Sequence, residues 1–453
     1  MVERAPVGDV VDDIPIGRFH WLVMGILGSV WAAMGVSVLG ISFTLPTFIE
    51  TWNLSGFTAG VLGSASLVGM ILGNSLGGRY ADRAGRKRTL VAGVVTFSVF
   101  TALTGLAVGF YTAVGFRLLT GVGLGGTLVA GASYVTEHMP SITRGRSVTY
   151  LEACFSLGSF ATVAVAWLVL SELSTDGTLW GVDAWRIFFA IGIAPVVLAA
   201  FVYLYLPESP YYLAESGDLD AAMARLEAMA RYNGDDVAGL PDALRPPESG
   251  TGGFSRLFDS DLARTTALMV VLWFSVNLAY YGIFTWLPDT IATAGYVESL
   301  YTYLFAVAAF QLLGQLSGAY LIEVVGRKWT LGSLLVVGGL ATFVFAVAIP
   351  DGGAAGGETL FSVGVFAMGF ALFGAWAVLY AYTSEVFPTK VRSTGLGLTG
   401  SVGKVAATLG PVVFGTLAQF GYLVALAPVT VLLVATGLAL LAFGRETRGE
   451  TLS

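Results

Sequence analysis

The sequence predicts an all-α integral membrane protein with twelve transmembrane helices in two six-helix bundles, and three observations carry that expectation. Hydrophobic residues fill 55% of 453 positions and charged residues only 12%, with a mean hydropathy of +0.77, so the solvent for most of the chain is lipid. Twelve apolar runs are each long enough to cross a hydrocarbon core about 30 Å thick, which takes about 20 residues of helix. The basic residues fall almost entirely on one side of that arrangement.

The first six runs are 19–45, 57–78, 89–109, 111–137, 147–171 and 185–206, and the second six are 265–292, 300–323, 329–349, 359–386, 393–418 and 421–443. Backbone amides in hydrocarbon must bond within their own segment, so uninterrupted runs of this length form helices; barrel strands would alternate over about ten residues. The chain divides into 1–206, an N-terminal tail with a six-helix bundle; 207–263, a linker; and 264–453, the second bundle. Residues 1–18 carry Glu3, Asp9, Asp12 and Asp13 without a basic segment and read as a short polar tail, not a cleaved signal. In the linker, SGDLDAAMARLEAMARYNG sets Leu219, Met223, Leu226 and Met229 at helical spacing between an N-cap-like Ser216 and Gly234, which predicts a short helix. PDALRPPESGTGG after it reads as a connection. The single Cys154 excludes an internal disulfide.

Of the 23 Lys and Arg residues, only Arg117, Arg186 and Lys404 lie away from the termini and from the loops on their side. Both termini are therefore expected on the cytoplasmic side of a plasma membrane, and the asymmetry supports an even number of crossings.

The halves also repeat. Gly73, Gly77, Asp82, Gly85, Arg86, Lys87, Thr89 and Leu90 recur 241 positions later as Gly314, Gly318, Glu323, Gly326, Arg327, Lys328, Thr330 and Leu331. Tyr134, Glu137, Pro140 and Arg144 recur 248 positions later as Tyr382, Glu385, Pro388 and Arg392. One basic loop would be explained as a positive-inside anchor; two ordered sets call for a repeated device. The paired glycines let a neighbouring backbone approach, Gly85 and Gly326 make turns, and Asp82 and Glu323 end their helices where an acid can face the positive N-terminus of another. Such parts suit a joint between packed helices in a carrier built from parallel repeats.

These residues resemble the major facilitator superfamily. GGRYADRAGRKR is similar to its signature loop between helices two and three, with GAYLIEVVGRK as the second copy; RLLTGVGLGGTLVAGASYVTEHMPSITRGR, PESPYYL and ETRG narrow the likeness to the sugar-porter group and its relatives. YYGIFTWLP, YLEACFSLG and YTSEVFPTKVRSTG resemble the branch for vitamins, aromatic acids and organic ions, and helix seven lacks the double glutamine of sugar porters. The resemblance implies two six-helix bundles around a central site. It also implies a network at the cytoplasmic side, Asp82, Arg86, Glu137 and Arg144 with Glu323, Arg327, Glu385 and Arg392, that joins the bundles when that side is closed. Proton-coupled relatives carry an acid in helix one; here Ala32 and Gly35 stand in that region, while the acid's usual partner is present as Arg117.

An ionisable group at mid-depth costs about 2.5 to 3.5 kcal/mol on insertion scales and marks function by default. Lys404, the one charged residue between Arg392 and Arg445, lies twelve residues past Arg392, about 18 Å along a helix. Its neighbours Gly397, Gly400, Ser401, Thr408 and Pro411 make a small, weakly polar face suited to a cavity wall. It binds an anionic substrate or pairs with a carboxylate such as Glu152. Among relatives this position carries a cation in anion carriers, which points to an anion. Glu152 itself is a proton-coupling group or a cation's partner, and Arg117 binds an anion or holds helix four against helix one. The further candidates for substrate contact are Asn277, Tyr280 and Tyr281 on helix seven, Gln311 and Gln315 on helix eight, Trp376 and Tyr380 on helix ten, and Trp31. Taken singly such stripes serve packing, but buried amides need partners.

GNSLG and GLGLTG match a nucleophile elbow and a dinucleotide loop in spelling only, because both lie within transmembrane helices. No ATP-binding loop, metal-ligand spacing or catalytic constellation occurs, so neither an enzyme nor a cofactor is expected, and nothing points to nucleic acid. The reading is a monomeric secondary active transporter that moves a small organic anion, a carboxylate and in one version aromatic, by alternating access, with proton coupling open. A sugar, polyol or organic-cation carrier of the same fold is the alternative, and a non-transporting membrane sensor is the alternative of another class.

Overall fold

Helices answer the demand that lipid makes on a backbone, and the twelve expected ones are present. A computed structural model of the protein describes residues 4–235, 240–241, 243–245, 254–260, 262–349, 357–388 and 391–448. The first bundle consists of α1 (Arg18–Trp52), α2 (Gly56–Ala84), α3 (Arg86–Thr104), α4 (Phe110–His138), α5 (Ser141–Trp167) and α6 (Ala184–Tyr205). The second consists of α7 (Ala263–Thr293), α8 (Leu300–Val324), α9 (Arg327–Ala348), α10 (Gly357–Val386), α11 (Arg392–Ala418) and α12 (Tyr422–Phe443). Eleven of these are long and apolar enough to span a membrane; α3 is the twelfth, and Arg86, Lys87 and Arg88 in its first turn lower its hydropathy.

Several boundaries move for identifiable reasons. α1 continues past Pro46 to Trp52, because a proline inside a packed membrane helix removes one hydrogen bond without ending the helix. α5 closes in a π turn over Leu168–Glu172, and α6 is broken between Ile191 and Val196, next to Pro195. The linker helix runs over Leu219–Asn233 and is capped by Asp218, whose carboxylate accepts from Ala221 N at 3.0 Å. Ser216, the expected cap, instead ends a preceding turn of helix, Pro210–Glu215. Most of PDALRPPESGTGG lies outside the described residues, but Ala243–Arg245 pairs as a parallel strand with Arg4–Pro6. The tail is therefore not simply polar. Val7, Val10 and Val11 of a short helix, Val7–Asp13, are buried, as are Leu226 and Met229 of the linker helix.

The glycine repeat does what its spacing implies. A methyl at Gly73 would collide with the Val122 carbonyl of α4, and one at Gly314 with the Phe370 carbonyl of α10, so α2 lies on α4 and α8 on α10 at backbone contact. The turn before α3 and the turn before α9 use Gly85 at φ 96° and Gly326 at φ 111°, a region that side chains disfavour.

The repeat extends further than the sequence suggested. Glu208, after α6, accepts from Lys87 N at 3.1 Å, and Glu446, after α12, accepts from Arg327 N at 2.9 Å and Lys328 N at 3.2 Å. Each carboxylate thus covers the free N–H groups at the start of α3 or α9. Beside them Tyr134 donates to Pro207 O at 2.9 Å and Tyr382 to Arg445 O at 2.8 Å, while Glu137 accepts from Ser209 and Glu385 from Thr447. The acids at these helix N-termini are Glu208 and Glu446; Asp82 and Glu323 are exposed and pair four residues along their own chain, with Arg86 and Arg327.

Contact between the bundles is tight at the face away from the termini. Methyls at Gly56 and Gly60 of α2 would strike Gly415 and Pro411 of α11, and Ser64 Oγ donates to Thr408 O at 2.7 Å. Phe305 of α8 packs on Phe160 and on Trp167 of α5, with ring centroids 5.3 and 6.3 Å apart. On the terminal face the ion pairs of Arg86 and Arg327 stay within their own halves, and on α11 a methyl at Gly397 or Gly400 would meet nothing within 4 Å.

Backbone contact makes a prediction. Gly73→Ala should lower thermal stability by about 1–3 kcal/mol, the usual penalty of overpacking. Gly126→Ala, where the methyl would sit 3.8 Å from Gly77 Cα, should leave it unchanged. Thermal unfolding of the purified variants checks this, and equal effects at both positions would refute the contact.

Candidate functional site

A narrow cavity lies midway along the helices, between the bundles. The first bundle contributes Trp31, Met34 and Val38 of α1, Met70, Leu128, and Glu152, Phe155 and Ser156 of α5. The second contributes Tyr280 and Tyr281 of α7, Gln315 of α8, Phe373, Trp376 and Tyr380 of α10, and Lys404 of α11. Seven of the expected site residues therefore meet Glu152 at one cavity.

Its wall on the second-bundle side is aromatic. The Tyr280 ring lies 5.3 Å from Trp376 and 5.4 Å from Phe373 between centroids, and Trp376 lies 6.4 Å from Tyr380. Such rings offer large flat surfaces and positive edges to a planar guest. On the opposite side the Trp31 indole fills the space left by the missing side chain of Gly131, and it lines the cavity together with Glu152.

Two opposite charges share this space. Lys404 and Glu152 are half-buried and interact electrostatically, yet they form no direct ion pair among the described residues. Glu152 also lies within electrostatic range of Tyr280, Tyr281 and Tyr380. A charge in an enclosed, poorly screened cavity acts strongly on whatever enters. Gln315 is held for a different purpose: its Oε1 accepts from Ser156 Oγ at 2.7 Å, a hydrogen bond from α5 to α8 across the bundle interface.

Three candidates lie elsewhere. Gln311 lines a separate small cavity nearer the closed face, beyond Tyr280. Asn277 donates to Trp273 O at 2.8 Å and packs beside Gly403, so it supports α11 one residue before Lys404. Arg117 is fully buried inside the first bundle, where Nη2 donates to Val38 O at 3.4 Å and Cζ lies 6.0 Å from the Phe189 ring.

The terminal-face residues form two equivalent clusters. Arg86 Nε donates to Glu137 at 2.9 Å and Nη2 to Glu215 at 3.3 Å; Arg327 Nε donates to Glu385 at 3.1 Å and Nη2 to Glu323 at 3.4 Å. Arg144 donates to Met139 O at 3.0 Å and to the Tyr211 hydroxyl at 3.2 Å, and Arg392 opens α11. In this state the pairs of Arg86, Arg144 and Arg327 each lie within their own half. Sequence reasoning missed Met34, Val38, Met70, Leu128 and Phe155 of the cavity, since apolar residues at helical spacing look alike whether they face a cavity or a neighbour.

Known proteins resemble this chain over most of its length. Residues 42–453 match the family described as "Sugar (and other) transporter". The niacin transporter NiaP of Acinetobacter baylyi is 30% identical over 451 residues, covering 98% of each chain. The 4-hydroxybenzoate transporter PcaK of the same organism is 27% identical over 409 residues, covering 88% of this chain and 85% of that one. The partially occluded inward open structure of the xylose transporter XylE from E. coli superposes with a TM-score of 0.76 at 18% identity, over 96% of this chain and 100% of that one, and shares its fold. The chain is a multi-pass membrane transporter, not an enzyme, and belongs to the sugar (and other) transporter family of the major facilitator superfamily.

Proposed function

We propose that the protein carries a small aromatic carboxylate across the plasma membrane by alternating access, with the terminal face toward the cytoplasm. The observation that carries this reading is Lys404: a cation at mid-depth with no direct ion pair among the described residues, in a cavity with an aromatic wall. A carboxylate on Lys404 and a ring against Tyr280, Phe373 and Trp376 use both features at once. Niacin and 4-hydroxybenzoate, for which two relatives are named, are both small aromatic carboxylates. With the termini in the cytoplasm, the closed face is outside and the described state opens inward.

Glu152, the only acid lining the cavity among the described residues, is the group we assign to proton coupling. Its place opposite Lys404 gives it two roles in sequence: counter-ion to the lysine in the empty carrier, and proton acceptor once a substrate carboxylate takes over the lysine. Arg117 acts as a brace between α4 and α1. Asp82, Arg86, Glu137, Arg144, Glu323, Arg327, Glu385 and Arg392 act as the cytoplasmic gate, their internal pairs giving way to contacts between the bundles on closure. The carrier works as a monomer.

Thermal-shift screening of the purified protein against organic acids, cations and sugars tests the substrate class, with uptake of any hit into proteoliposomes. Stabilisation by aromatic carboxylates is expected; stabilisation by cations or sugars alone would overturn the reading, and tight binding without uptake would favour a sensor. Lys404→Ala should weaken carboxylate binding about 10- to 100-fold, the loss of a charge-assisted hydrogen bond, without unfolding the protein. If that variant unfolds and Glu152→Ala restores it, the lysine is only a structural partner. Glu152→Gln should keep binding but remove the stimulation of uptake by an inward proton gradient; undiminished stimulation would move coupling elsewhere.

A further inference from the structure

Because the halves repeat, one can be subtracted from the other, and a groove in the first half is left over. It lies between α2, α3 and α4, and has Gly73, Gly93, Val122, Gly123 and Gly126 along its depth and Arg79 and Arg83 at its mouth. In the second half, Gly93 is matched by Leu334 and Val122 by Phe370, while Tyr320 and Val324 stand where the arginines would be. Leu334 is buried, and its Cδ1 lies 3.1 Å from where a methyl on Gly374, the counterpart of Gly126, would sit. The repeat as such therefore needs neither the groove nor the arginines.

The dimensions fit one leaflet. From Gly73 to Arg83 is about 15 Å of helix, half of a hydrocarbon core about 30 Å thick. Leu72, Leu76 and Tyr80 of α2 are exposed, so the groove faces acyl chains and not another helix. Arg79 and Arg83 are one turn apart, exposed and without an ion pair among the described residues, whereas Arg86 meets three carboxylates. A hydrophobic slot with two free guanidiniums at the interface matches an anionic phospholipid in shape and charge.

We propose that this groove holds one anionic phospholipid of the leaflet beside the termini, its phosphate between Arg79 and Arg83 and one acyl chain over the glycine floor. The site is independent of the transported substrate.

Native mass spectrometry and thermal unfolding of delipidated protein test it, with phosphatidylglycerol, phosphatidylcholine of the same chains, and inorganic phosphate as probes. One phosphatidylglycerol per chain should be retained, with a raised unfolding temperature, and the preference over phosphatidylcholine should fall about fivefold for each arginine lost in Arg79→Gln/Arg83→Gln. Ala92→Phe, at an exposed position of the wall, should abolish retention of either lipid, with Thr96→Phe in its place if that variant is not monodisperse. Equal retention of both lipids, retention unchanged in the variants, or equal stabilisation by inorganic phosphate would overturn the proposal.

Discussion

Contact between helix backbones through glycine is the constraint on which the rest depends. Inside lipid there is no hydrophobic gain from pressing two apolar helices together, so close packing and hydrogen bonds must supply the attraction. Gly69, Gly73 and Gly77 set α2 on α4, and Gly314 and Gly318 set α8 on α10. With those distances fixed, the turns at Gly85 and Gly326 bring Arg86 to Glu137 and Arg327 to Glu385.

The cavity inherits its character from this division of labour. Packing is handled by glycine and alanine, which leaves the large aromatic side chains of α7 and α10 free to face inward. The two charges belong to different bundles, Glu152 to α5 and Lys404 to α11, so movement of one bundle relative to the other changes the attraction between them. A guest that neutralises Lys404 changes that attraction as well, which links occupancy to the angle between bundles without any intermediary.

How much of this was legible depended on the range of the interaction. The twelve helices, the glycine pairs and Lys404 at mid-depth could be read because each is written in local spacing or in a repeat. Glu208 and Glu446 could not, because each caps a helix more than a hundred residues earlier, and the short stretches PES and RET share too little spelling to be aligned. Gln311, Gln315 and Asn277 looked equivalent as buried amides, yet only Gln315 lines the cavity with Lys404. One turn of α8, about 6 Å of depth, separates the first two, and which depth meets the cavity is set by the neighbouring helices. The buried valines of the tail were obscured by the acids between them.

The seal between α2 and α11 has a consequence for speed. At Gly56 and Gly415 the surfaces that must part and meet again carry no side chains, so separation releases no rotamers and closure has none to freeze. Ordering a long side chain costs up to about 2 kcal/mol each time. Interlocked leucines at these positions would incur that entropy on every closure; the bare backbone of Gly56 and Gly415 does not.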